Sequence, residues 1–178
     1  YSLALPVHHP LAGQTQELYQ AVHDGFIAAL SSLSPRSGTS WTLHRREQPL
    51  RRPTKDEPFL CFQRGAVGDV LLTCTHNEAK GASSWKILGS AQRRHRGAVL
   101  QHGSLLLKKS PQAPELPGLC DLAQASFDPD ELICELRARL SAILRTEFTE
   151  TSPSAQVFSR AQELETAKYS NPSWTNRR

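Results

Sequence analysis

Methionine is absent from all 178 residues, position 1 included. The chain opens on Tyr-Ser-Leu-Ala-Leu, strand-like from its first residue, which sets the expectation of a fragment whose upstream part is missing. Cysteine is scarce: four residues, at 61, 74, 120 and 134, with no C-x-x-C pair. That excludes a dense disulfide framework and points to reduced thiols. No apolar run approaches a membrane span, and the first residues lack the charged-then-apolar layout of a signal peptide. The cytoplasm is the expected location, with no membrane partner. There is no Gly-x-Ser-x-Gly elbow, no Walker pattern and no Gly-x-Gly-x-x-Gly, so a serine hydrolase or a phosphate-loop protein has no support. The basic clusters around Arg45-Arg46 and Arg51-Arg52 carry no interleaved aromatics, and nucleic acid is not expected as a partner. No metal is expected either. His8 and His9 are neighbours that point apart, and Cys74-x-His76 offers two ligands without a third.

What is there fits a soluble globular domain. Apolar residues make up 38% and charged residues 21%, in a chain long enough for one domain over 1–178. The net charge of +4 favours an acidic partner.

Leu18, Val22, Phe26, Ala29, Leu30 and Leu33 keep helical spacing and predict a helix over 14–33, with Gly25 as a place of close packing. Strands are expected at 41–45, at 59–62 around Cys61, and at 67–75. A hairpin-type loop over 75–83 leads into a strand pair, 84–92 and 97–107, joined by the basic connection Arg93-Arg94-His95-Arg96. A short helix is expected over 118–125. Asp128 as N-cap with Pro129 after it opens a helix running to about Phe148, which buries Leu132, Leu136, Leu140, Ile143 and Leu144. Ser152-Pro153 is read as the cap of a last helix, with Val157, Ala161, Leu164 and Lys168 on one face. This order predicts an α+β fold, a mostly antiparallel mixed sheet with helices packed on one side.

The strand pair holds the candidate chemistry. Lys86 precedes a small-residue patch, Gly89-Ser90-Ala91, where a backbone can lie close to a ligand and a lone lysine can reach an anionic or acyl group. The partner strand begins with amide, imidazole and hydroxyl groups and ends in an apolar run. Cys61 becomes a nucleophile if its thiolate is favoured, and Lys86 is the cation that could do so. Composition by itself reads Cys61 as a small buried hydrophobe and Lys86 as a surface lysine.

Lys86-Ile-Leu-Gly-Ser-Ala-Gln92 followed by Leu100-Gln-His-Gly-Ser104 resembles the biotin/lipoate protein ligase superfamily, nearest its lipoate-ligase-like octanoyltransferases. Tyr1-Ser2, Cys61-Phe62 and the closing Lys168-Tyr169 with Trp174 are similar to the family's landmarks in the same order. The resemblance implies that Cys61 and Lys86 are catalytic. It also implies that Gly89, Ser90, Ala91, Gln92, Gln101, His102, Gly103 and Ser104 bind substrate. Cys61 would take octanoate from acyl carrier protein as a thioester and pass it to a lysine of a lipoyl domain or glycine-cleavage H protein, without a cofactor. The alternative is a lipoate–protein ligase using ATP and lipoate, with Lys86 at the lipoyl-adenylate. A second alternative is a non-catalytic module that docks a lipoyl domain. The family's upstream Arg-Arg…Gly-Gly-Gly…His segment has no counterpart here, and Gln63-Arg64-Gly65 replaces the usual Pro-Ser-Tyr-Glu-like residues. The expectation is a fragment or one part of a split protein, whose full activity can depend on that upstream segment.

Overall fold

The computed structural model describes residues 1–34, 41–48, 60–75 and 82–176. The loop predicted at 75–83 lies largely outside these residues, as do Arg51, Arg52 and His76. The described chain forms two compact units, Tyr1–Thr146 and Glu147–Arg178.

In the first unit, five strands form one sheet in the order β1-β5-β4-β3-β2. They are β1 (Ser2–Leu5), β2 (Trp41–Arg45), β3 (Val70–Thr75), β4 (Ala82–His95) and β5 (Ala98–Leu105), and all four pairings are antiparallel. Helix α1 (Thr15–Ser32) follows the predicted periodicity and buries Leu18, Val22, Phe26, Ala29 and Leu30 in the core with Leu3, Leu72, Leu88 and Val99. Full burial of such a side chain contributes roughly 1.5–3 kcal/mol. Helix α3 (Pro129–Leu144) packs across α1 at Gly25, where a Cβ would stand 3.2 Å from the Ile143 side chain. Asp128 caps α3 as predicted, accepting from the Asp130 amide at 2.9 Å. The helix stops at Leu144 rather than near Phe148, because Arg145 turns left-handed (φ 51°) and the Thr146 amide closes back on Ser141 O at 3.1 Å. The short α2 (Leu119–Ala123) covers β3, whose Cys74 thiol donates to Leu122 O at 3.7 Å. His9 belongs to a turn, as expected. Its Nδ1 accepts from the Leu11 amide at 3.1 Å, which leaves Nε2–H to donate to Leu144 O at 3.2 Å.

Three local expectations are corrected. The ladder between β4 and β5 continues to His95↔Ala98, so Arg93, Arg94 and His95 are strand residues. The turn is Arg96-Gly97, both at positive φ (48° and 83°), the two-residue hairpin geometry that matches strand twist. Residues 61–63 form a 3-10 turn instead of a strand, and Cys61 is exposed rather than buried. The helix expected after Ser152-Pro153, α4 (Ala155–Leu164), is capped by Ser154 in place of Ser152, since the Ser154 hydroxyl is the one that accepts from the Val157 amide, at 3.3 Å.

Between β3 and β4 the register slips by one: Val70 pairs with Leu88, but Leu71 pairs with Lys86. Ile87 is the extra residue of a β-bulge, and Ile87 and Leu88 are consecutively buried for that reason. In the second unit, α4 leads through a π-helical turn (Glu165–Tyr169) to α5 (Pro172–Thr175). Lys168 Nζ lies 4.3 Å from the Trp174 ring centre, and Tyr169 meets Trp174 edge-on at 5.5 Å. The face of α4 that carries Val157 is left exposed.

Candidate active site

The bulge decides where Lys86 points. Plain alternation from Leu88, Ser90 and Gln92 would send it towards α1. The extra residue turns it to the opposite side, where it lies over Gly89: a Cβ there would collide with Lys86 Cε and stand 2.7 Å from Nζ. The ammonium makes a 2.9 Å ion pair with Asp69 Oδ2 and contacts Arg64 O at 3.2 Å and Cys61 O at 3.4 Å. It also sits 5.2 Å from the Phe62 ring centre. Lys86 therefore ties the Cys61 turn to the sheet through two of its backbone carbonyls.

Asp69, only 1% exposed, is the anchor of these contacts. It accepts from the Tyr19 hydroxyl at 3.0 Å and the Ala66 amide at 2.7 Å as well as from Lys86. Burial, and then the Asp69 charge, hold the Tyr19 phenol well above its ordinary pKa, so it stays a donor. The same oxygen accepts from the Ser90 amide at 3.3 Å.

One turn further along α1, His23 is fully buried, with its ring 4.2 Å from that of Tyr19. Its Nδ1 lies 2.6 Å from Gly68 O, which can only accept, so Nδ1 carries the proton. Burial depresses the His23 pKa, against the weaker pull of that carbonyl, and the ring is neutral. Nε2 then accepts from the Ser90 hydroxyl at 2.6 Å. Ser90 Oγ in turn accepts from Tyr1 OH at 2.6 Å, Tyr1 accepts from Gln101 Nε2 at 2.8 Å, and Gln101 Oε1 accepts from Gln92 Nε2 at 2.7 Å. Burial raises the Tyr1 phenol, so it too remains protonated. The imidazole tautomer thus sets the direction of every bond in the chain.

The sequence-predicted binding residues consequently fall on two faces. Ser90, Gln92, Gln101 and Gly103 face α1, the first three inside this hydrogen-bonded chain. A Cβ at Gly103 would meet Gly89 O at 2.6 Å and the Tyr1 ring at 2.8 Å. Ala91, His102 and Ser104 are exposed on the other face, beside Gly89 and Lys86. Sequence reasoning missed Asp69, Tyr19 and His23. The signals were a lone acid heading an apolar strand, Gly68-Asp69-Val-Leu-Leu, and two polar rings four residues apart on the buried stripe of α1. Among the described residues no group of three or more His, Cys, Asp or Glu could hold a metal ion, and no helix is long and apolar enough to cross a membrane.

No family model matches the chain. Octanoyltransferase LipM of Kyrpidia tusciae is 30% identical over 114 residues, 64% of this chain and 37% of that protein. Lipoate-protein ligase A bound with ATP superposes with a TM-score of 0.59 at 19% identity, over 89% of this chain and 58% of the other. The fold is that of a biotin/lipoate ligase-like catalytic domain. A bi-partite lipoate protein ligase from Thermoplasma acidophilum, solved in a study that includes its E2 lipoyl domain, shares this ligase-like fold at a TM-score of 0.56 and 20% identity. It matches 97% of this chain and 61% of its own. The chain spans about a third of the length of the curated relative and about 60% of each ligase structure.

Proposed function

We propose that this protein is an acyltransferase of protein lipoylation, carrying an octanoyl group from a carrier-protein thioester through Cys61 to a lysine of a lipoyl domain or H protein. One observation carries the reading: the Lys86 ammonium is bonded to the turn that holds the exposed Cys61. The likeness to an octanoyltransferase supports the acyl group.

In the first half-reaction the Cys61 thiolate attacks the donor's carbonyl carbon. A new C–S bond forms, the donor's C–S bond breaks, and the carrier leaves as a thiol after taking up a proton. In the second, the acceptor amine attacks the Cys61 thioester, forms the amide and returns the proton to the thiolate. Lys86 stabilises the oxyanion in both. Its three N–H groups already have three acceptors, and the 3.2 and 3.4 Å contacts to backbone carbonyls are the ones a substrate oxygen displaces. Asp69 keeps the ammonium in place meanwhile. The +4 charge suits acidic carrier and lipoyl partners by steering.

The test is intact mass after mixing the protein with octanoyl-carrier protein in the absence of ATP. A hydroxylamine-labile octanoyl adduct on Cys61, lost in Cys61→Ala and kept in Cys134→Ala, is expected. Equal loss in both variants would discredit the nucleophile. Transfer that appears only with ATP and lipoate would replace this reading with the ligase, in which Lys86 holds lipoyl-adenylate.

A further inference from the structure

The second half-reaction leaves a proton without a carrier. An acceptor lysine is an ammonium at neutral pH, and its nitrogen must shed two protons on the way to an amide. Lys86 is itself a cation. Asp69 already accepts from Lys86, Tyr19 and the Ala66 amide, so it has no place for another proton donor. His23 is buried on the α1 side of the sheet.

His102 stands on the opposite, open side. Its cross-strand partners, Ala91 on β4 and Ser2 on β1, are small and exposed, as is His102 itself. Among the described residues it makes no hydrogen bond. Gly89 pairs with Ser104, two residues along β5 from His102. Gly89 and His102 are therefore diagonal neighbours, about 7–8 Å apart and within reach of long side chains. Because Gly89 has no side chain, the Lys86 ammonium fills its place, 2.7 Å from where a Cβ would stand. Ammonium and imidazole thus lie along one diagonal of one face. His44 shares that face, but it sits across Leu71, two strands from Lys86 and roughly 10 Å away.

We propose that His102 is the general base that takes the proton of the acceptor amine. The inference deepens the transferase reading and rests on it for the Cys61 thioester. The acceptor gives its first proton to solvent and arrives as the free amine. Its nitrogen attacks the octanoyl carbonyl carbon, the C–N bond forms, and the C–S bond breaks with its electron pair returning to sulfur. The remaining surplus N–H proton passes to the imidazole, the usual side chain for such transfers, and from there through solvent to the Cys61 thiolate.

The test separates the half-reactions. Wild type, His102→Gln and His95→Gln are each octanoylated on Cys61 and then mixed, in a single turnover, with an apo lipoyl domain or with hydroxylamine. His95, exposed at the hairpin end of the same face, is the control. Transfer to the lipoyl domain should slow about a hundredfold in His102→Gln, so that octanoyl-Cys61 accumulates, and more lipoyl domain should not restore the rate. Hydroxylamine is already unprotonated at neutral pH, so its rate should be the same in all three proteins. Slowing of both nucleophiles alike would reveal a structural role and overturn the assignment. Undiminished transfer in His102→Gln, equal loss in His95→Gln, or recovery at high lipoyl-domain concentration would overturn it too, with the transferase reading left standing. A wild type that forms no octanoyl-Cys61 would sink both together.

Discussion

The two faces of the β4–β5 hairpin have nearly the same residue types and opposite fates. Towards α1, Ser90, Gln92 and Gln101 are linked in one hydrogen-bonded chain with Tyr1 and His23, with Gln92 Oε1 buried without a partner among the described residues, and Gln101 has no exposed surface. Away from α1, Ala91, His102 and Ser104 lie exposed, and Gly89 makes room for Lys86. One face therefore fixes geometry and the other is free to meet a ligand. Buried polar groups have value for stability only when every partner is present, whereas exposed ones remain available.

Two glycines, in adjacent cross-strand pairs, separate these roles most sharply. Gly103→Ala is expected to cost about 3 kcal/mol or more, because its Cβ meets the Gly89 backbone, which cannot move aside. Urea unfolding measures this, and a cost below 1 kcal/mol would mean the helix-side face is loosely packed. Gly89→Ala meets the flexible end of Lys86 and stands 3.4 Å from Asp69 Oδ1, so it should cost less than Gly103→Ala, about 1–3 kcal/mol, through the strained Lys86–Asp69 pair. Displacing Lys86 should nevertheless slow Cys61 octanoylation on the order of a hundredfold. Retained activity would remove Lys86 from the chemistry.

His23→Gln should destabilise by roughly 1–3 kcal/mol through the lost bonds to Gly68 and Ser90. It should also change the pH dependence. The depressed folded-state pKa means that the neutral ring's contribution is complete above the unfolded value, about 6.5, and is lost as pH falls through that value towards the folded one. Wild type should thus lose stability from pH 7 to 5 more steeply than His23→Gln. Parallel curves would deny His23 its buried neutral state. Ser104→Ala, on the open face, should leave stability within about 0.5 kcal/mol.

Periodicity was enough to predict α1 and the cap of α3, because an apolar stripe and an Asp-Pro start are local signals. The pairing of β4 with β5 was legible for the same reason. The Cys61 turn was not: an apolar run of four reads as a strand, whereas the Gln63 amide closes on Leu60 O at 2.9 Å and the Arg64 amide on Cys61 O at 3.2 Å. Lys86 and Cys61 were found through a motif resemblance, whereas Asp69, Tyr19 and His23 come together only by long-range folding of α1 onto the start of β3. No spacing rule joins residue 23 to residue 68 or 90.

Ile87 makes the position of the lysine a matter of arithmetic. A pleated strand assigns faces by odd and even count, and a single supernumerary residue reverses the assignment for everything on one side of it. Pleating Ile87 regularly into the ladder would keep every chemical group of the site and turn the ammonium towards hydrocarbon, whereas deleting Ile87 would leave Lys86 opposite Leu71 and on its present face. The lysine's usefulness is therefore stored in one break of the pleat at Ile87, which lets an even count end on the opposite face.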